Sequence, residues 1–394
     1  MGAVALTAAT GALFLNSCEE SGRLDFSNIS HAELRKREVK VKEGAQPIKE
    51  TGKIYVKDNF LYVNEKGKGI HVIDNSDPAA PKKVKFVSIP GNLDVAMKGD
   101  MLYADSYMDL LAINMKTQEV TRVNDVFQGS FDQMRTQGRF AGTNTDGSFM
   151  FSKSMQAVNN TSSGASTGGG TGTAGSMARF AIVKNSLYVL DGSTMKIFDI
   201  TDGAKPKEGN SKKMDFEIET IFPHENELYI GGTRGMFIYD NTDPTNPTLL
   251  SKFEHLFSCD PVVVEGKTAY ITLRNGTPCR TTANQLDIVD ISDLKNPVLV
   301  KSYPMHNPHG LSIQGSTLYV CDGNQGLKSF NVSNPMDIQP LAKDPSLRKA
   351  YDVIALGGTQ TLIVVGRDGI YQYDNSDVNN LKQISVIAVE ESAS

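Results

Sequence analysis

GIHVIDNSDPAAP (69–81), MFIYDNTDPTNP (236–247) and LDIVDISDLKNP (286–297) are three versions of one phrase. Each opens with alternating apolar residues, reaches an Asp, and runs into a polar turn ended by Pro. Further copies are MKIFDITDGAKP (195–206), LKSFNVSNPMDIQP (327–340) and IYQYDNSDVNN (370–380); LLAINMKTQEV (110–120) is a degenerate copy without the proline. Alternation of this kind specifies a strand with one buried face. The Asp/Asn-x-Ser/Thr-Asp/Asn cluster offers side-chain bonds to the backbone two residues on, and Pro fixes φ, so the phrase ends in a closed turn.

The aligned Asp or Asn positions are 74, 114, 199, 240, 290, 331 and 374, separated by 40, 85, 41, 50, 41 and 43 residues. The separation of 85 is one repeat with a large insertion, and that of 50 is one repeat with a lengthened loop. Upstream of each phrase lies a second recurrent unit, as in NFLYVNE (59–65), DMLYADS (100–106), NSLYVLD (185–191), ELYIGG (227–232), TAYITL (268–273) and TLYVCD (317–322). Each period therefore holds four short strands. A sheet that small cannot bury both faces alone, but copies arranged radially bury each sheet against its neighbours. A linear β-solenoid uses shorter periods of about 20–29 residues. The expected fold is all-β: a β-propeller of seven blades, each of four antiparallel strands, over residues 50–394. Six or eight blades are the alternatives if the degenerate copy or the ends are misread. Residues 37–49 (REVKVKEGAQPIK) are a candidate extra strand for the last blade.

The composition of the 394-residue chain narrows the class. Its 40 basic and 45 acidic residues leave a net charge of −5, which gives nucleic-acid binding no support. There is no Trp, which excludes the tryptophan–aspartate propeller repeat and the usual quinoprotein propeller. No stretch is long and apolar enough to span a membrane. The cysteines Cys18, Cys259, Cys279 and Cys321 are too few for a disulfide scaffold and lack zinc-site spacing.

Residues 1–17, MGAVALTAATGALFLNS, are small and apolar and end at Cys18, as a secretory leader does. Leu15-Asn16-Ser17-Cys18 resembles a bacterial lipobox, which would make Cys18 the lipidated first mature residue; an ordinary signal peptide with an incidental cysteine is the plainer alternative. Glu19 and Glu20 resemble the surface-export signal of Bacteroidota lipoproteins. This predicts a protein of the cell envelope, held to the outer membrane by acyl chains at Cys18. Residues 18–49 are expected to form a tether. Within it Ser30-His31-Ala32-Glu33 is a capping box, which predicts one or two helical turns over 31–38.

The repeat itself resembles the LVIVD-repeat family of bacterial and archaeal proteins, whose pattern is a strand close to Gly-Leu-x-Ile-Ile-Asp followed by Ile-Ser-Asp-Pro-x-x-Pro. Residues 236–247 and 286–297 carry the resemblance best, and it extends over roughly 50–390. It implies a propeller at the cell surface or in the periplasm and little about activity, since fold does not settle function.

Candidate chemistry gathers on the face where the chain enters the innermost strands. Two departures from the period fall there: the 123–178 insertion, with its Gly/Ser/Thr-rich linker 159–178, and the loop 274–285. Polar residues at near-equivalent strand entries are Asp94, Arg179, Glu219, Asp260, His309 and Asp352. In a closed ring they would rim the central channel, either as a ligand or cation site or as turn caps. His306 precedes His309, and Arg274, Arg280 and Arg367 add positive charge suited to an anionic ligand. Cys259 and Cys279 bracket one hairpin at the same end and form a candidate disulfide, which leaves Cys321 over, expected to be buried. No catalytic motif is present, and no cofactor is implied beyond an optional cation at the mouth. The expected function is a lipid-anchored binding scaffold for an envelope protein or glycan. The alternative is an envelope hydrolase or lyase with its site at the channel mouth.

Overall fold

The structure is a computed structural model and describes residues 30–136, 173–254, 261–274, 284–347 and 349–390. Seven four-stranded antiparallel sheets follow one another along the chain, over residues 54–88, 95–123, 180–213, 218–254, 262–304, 311–344 and 352–388. We number them blades 1–7. In every blade the four strands lie in chain order, and successive first strands, from Ile54–Lys57 to Asp352–Ala355, abut one another around the ring. The expected seven-bladed, all-β propeller is what the chain forms.

The repeated phrase explains the blade. The aligned Asp74, Asp199, Asp240, Asp290 and Asp374 each accept a hydrogen bond from the backbone N–H two residues on, at 2.8–2.9 Å. Hydrogen bonds from the Ser or Thr side chain and N–H hold the carboxyls of all five below the usual Asp range. Just before this turn the third and fourth strands slip register in six blades. Such a bulge adds local twist, which a radial sheet needs. Blade 2, the copy without proline, pairs without a slip, and Asn114 caps its shorter turn through the N–H groups of Lys116 and Thr117. Glycine at the start of the third strand is also required in blades 1 and 4. Gly69 (φ +144°) and Gly235 (φ +148°) lie against the outer strand, where an added Cβ would meet Val87 O at 2.0 Å and Phe253 O at 2.1 Å.

Apolar layers join each blade to the next. One layer, Ile54, Leu61, Val63 and Ile73 against Ile354, Ile363, Val365 and Ile370, joins blade 7 to blade 1 and closes the ring. Buried amides reinforce that seam: Asn75 donates to Gln372 at 2.9 Å and Gln372 donates back at 2.7 Å. Closure therefore needs no borrowed strand.

The segment over 37–49 accordingly goes elsewhere than expected. Strand Lys40–Glu43 pairs with Lys82–Ser88, the outermost strand of blade 1, with Val41 opposite Val87. Its link to blade 7 is confined to the flanking residues, where Glu390 N–H donates to Ile48 O at 2.7 Å and Thr51 Oγ1 to Gly366 O at 3.1 Å. Before it comes helix His31–Arg35, closed by the expected capping box between Ser30 and Glu33. The insertion after blade 2 contains helix Gln128–Thr136 and strand Thr173–Ala174. That strand pairs with Tyr55 and Val56 on the free inner edge of blade 1, so the returning chain runs inside the ring.

Candidate binding face at the mouth of the ring

The upper face is the one that carries the entries into the first strands and the turns between second and third strands. At each entry the repeat places one residue just before, or at the start of, the innermost strand. Around the ring these are Lys53, Asp94, Arg179, Glu219, Pro261, His309–Gly310 and Asp352. They fall into two groups.

Blades 1–3 bring Lys53, Asp94 and Arg179 together with Asp105, from the end of the second strand of blade 2. The Lys53 ammonium and the Arg179 N–H both donate to Asp94, the latter at 2.8 Å, and the Arg179 guanidinium donates to Asp105 at 2.9 Å. The other Asp105 oxygen accepts from Asn92 and from the Leu93 and Asp94 N–H groups at 2.7–2.9 Å. All four charged residues are buried. Burial pushes the Lys53 pKa down and the Asp105 pKa up, against the pull of their partners. Two cations and two carboxylates thus neutralise one another, and the quartet ties the ring-closing segment and the returning insertion to blade 2. Asp94 and Arg179 act here as a clasp.

Blades 4–7 present a different set. His309 is buried, with its ring edge-on to Tyr351 at 5.9 Å and a nitrogen 3.1 Å from the Asn307 amide. Its backbone is fixed by Thr272 Oγ1, which donates to His309 O at 2.6 Å, and by its own N–H to Cys321 O at 2.7 Å. Burial first, and then the nearby Arg274 charge, hold the imidazole pKa well below 6.5, so the ring is neutral. Burial also lowers the Arg274 pKa, with Glu219 acting in the opposite sense. The Cys321 thiol is buried and free; burial, then Asp352 and Asp322, push its pKa well up, so it is not a ready nucleophile. Next to this group Asp322 gathers the N–H groups of His306 and Asn307 at 3.0 and 2.7 Å and the Lys328 ammonium, presenting the exposed His306. Arg367 stands exposed on the adjoining turn of blade 7.

Among the described residues no group of three or more His, Cys, Asp or Glu side chains is placed to hold a metal ion. Asp94 lies with Lys53 and Arg179 and not with His309 and Asp352. Asp260, Arg280, the Cys259–Cys279 pair and the lipidation residue Cys18 lie outside the described residues. Lys53 and Asp105 went unnoticed in the sequence. Lys53 precedes Ile54-Tyr55-Val56 as Asp94 precedes its own strand, so aligning the first blade with the rest would have found it.

The N-terminal segment sits on the same face. Arg35 grips the fully buried Asp109 through two bonds of 2.9 and 2.8 Å and reaches Asp125 at 2.7 Å, while Arg37 donates to Tyr107 Oη at 2.7 Å. Burial opposes ionisation of Asp109, but hydrogen bonds from Arg35, the Asp125 N–H and Arg122 prevail and hold its pKa below the usual Asp range. Beside it, the first turn of helix Gln128–Thr136 docks on blade 3: the Ser130 N–H and hydroxyl donate to Asp191 at 2.8 and 2.5 Å.

These features define a seven-bladed β-propeller whose described non-repeat chain lies on the blade 1–3 side of its upper face. Residues 49–87 and 258–304, which include blade 1 and blade 5, match the LVIVD repeat. No curated protein matches the sequence significantly. Among solved structures, a protein from Lactobacillus plantarum is 12% identical, with a TM-score of 0.57 over 88% of this chain and 98% of that one. The periplasmic gluconolactonase of Pseudomonas aeruginosa is 8% identical, with a TM-score of 0.56 over 87% and 97%. The computationally designed Ika8 protein is 12% identical, with a TM-score of 0.54 over 89% and 90%. At these identities the likeness is one of fold.

Proposed function

We propose that this chain is a lipid-anchored envelope propeller that acts as a binding scaffold, offering the blade 4–7 side of its mouth to an envelope protein or glycan. The leader ending at Cys18 supports the envelope and outer-membrane placement. The observation that carries the binding reading is the contrast within one ring of equivalent positions. In blades 1–3 they are locked into a mutual clasp, whereas in blades 4–7 Glu219, His309 and Asp352, just as buried, lie with Arg274 and Tyr351 behind the exposed His306 and Arg367. Such a wall suits hydrogen bonding and anion recognition more than acid–base chemistry. The alternative of a hydrolase or lyase would need Asp94, Asp260, His309 and Asp352 to converge, and Asp94 is engaged elsewhere.

The test is capture of envelope proteins and glycans by the purified ectodomain, run beside Arg367→Glu and His306→Ala. The scaffold reading expects a ligand retained by the parent protein and lost from the variants. Turnover of a glycan or ester substrate, abolished by a substitution at the mouth, would overturn it.

A further inference from the structure

The docked N-terminal segment fixes where an anchor would leave the propeller. Ser30 and helix His31–Arg35 lie over blade 2 on the upper face, held by Arg35 to Asp109 and Asp125 and by Arg37 to Tyr107. Tyr107 and Asp109 belong to the upper turn of blade 2, and Asp125 lies on the connection leaving that blade. His31 also packs edge-on to Phe131 of the insertion helix, with ring centroids 5.5 Å apart. The described chain therefore begins on the upper side, not beside the Asp–Pro turns on the opposite face. Cys18 lies twelve residues before Ser30. Chain reach is at most about 3.6 Å per residue, so Ser30 stays within about 43 Å of the acylated residue even at full stretch.

We infer that the upper face is the one held toward the bilayer, with the ring of Asp–Pro turns directed away from it. This rests on the anchored reading of Cys18. A short leash at the upper face favours that face because turning the propeller over requires the leash to pass around the disc as well as reach the lipid. Its consequence for binding is direct: the blade 4–7 side of the mouth faces the membrane, so its ligand is a molecule displayed at that surface.

The experiment uses the full chain, processed and acylated, in vesicles that carry an energy-transfer acceptor on a fraction of the lipid headgroups. Donor dyes are placed singly at Asn324→Cys (upper turn of blade 6) and Ala80→Cys (lower turn of blade 1). The background is Cys259→Ser/Cys279→Ser; Cys321 is buried and does not label. The choice of blades matters. Blade 1 is on the leash side and blade 6 across the ring, so a propeller lying on its leash side would bring Ala80 nearer the lipid. The expected result is at least twofold greater transfer from 324 than from 80. Releasing the helix with Arg35→Ala/Arg37→Ala adds free leash and shrinks that ratio. Equal transfer, or greater transfer from 80, overturns the orientation while leaving the anchor intact. A mature protein whose mass lacks the acyl chains overturns the anchored reading and the orientation with it.

Discussion

The two halves of the upper face start from the same repeat position and use it in opposite ways. In blades 1–3, Lys53, Asp94 and Arg179 are consumed in mutual pairing, and chain from outside the repeat lies over them. In blades 4–7 the equivalent Glu219, His309 and Asp352 are just as buried, but among the described residues only the ordinary blade connections lie over them. The repeat supplies a location, and what the location does depends on which non-repeat chain reaches it. A polar rim residue in a propeller is thus a candidate ligand group only after its neighbours from two other blades are known.

The sharpest way to break the contrast is within the clasp. Lys53→Met leaves Asp94 buried with only Arg179 to balance it, while Arg179 already serves Asp105. Removing one partner of a buried ion pair costs about 3–5 kcal/mol, so the midpoint of chemical unfolding should fall markedly. A loss below about 1 kcal/mol would mean that the quartet is not what holds this half shut. Next in size, Arg35→Ala removes a two-pronged bond to a carboxylate and should cost about 1.5–3 kcal/mol. Its signature is local: hydrogen exchange should rise over 31–43 and not in blades 4–7.

Acidification probes the same docking without mutation. Asp109 has a folded-state pKa below its unfolded value of about 3.9. Its contribution is therefore fully present above that value and is lost as pH falls through the lower, folded-state pKa. Exchange protection over 31–43 should be unchanged from pH 7 to 5 and decline only below pH 4. In the mouth, His309 has the opposite consequence: its pKa lies well below 6.5, so His309→Ala should leave unchanged any pH dependence that ligand capture shows between pH 7 and 6.

How much of this was legible follows from how local each determinant is. The repeat turns were readable because an Asp that bonds the N–H two residues on, and a Pro that follows, act within one short window. The blade count followed because the large insertion changed a spacing without altering the copies around it. Residues 37–49 were only a candidate strand for the last blade, because Lys-Val-Lys-Glu fits any free edge, and Lys40–Glu43 pairs with blade 1 instead. The contact that docks the preceding helix, Arg35 to Asp109, joins residues 74 apart in sequence and leaves no local signal. Rim positions such as Asp94 and His309 could be placed, since they recur with the period. Their environments could not be, because each is made by residues from three blades and a loop.

The mildest substitution tests the comparison from the other side. Arg367 is exposed on the upper turn of blade 7, and a surface replacement away from caps and ion pairs usually changes stability by no more than about 0.5 kcal/mol. Arg367→Ala should therefore leave the unfolding midpoint where it is and reduce retention of an anionic ligand at the mouth. If it instead unfolded the protein as Lys53→Met is expected to, blades 4–7 would also be a clasp and the two halves would not differ in kind. Stability measured for both variants separates the cases before any ligand is known, because a binding group and a structural one differ in what their removal costs the empty protein.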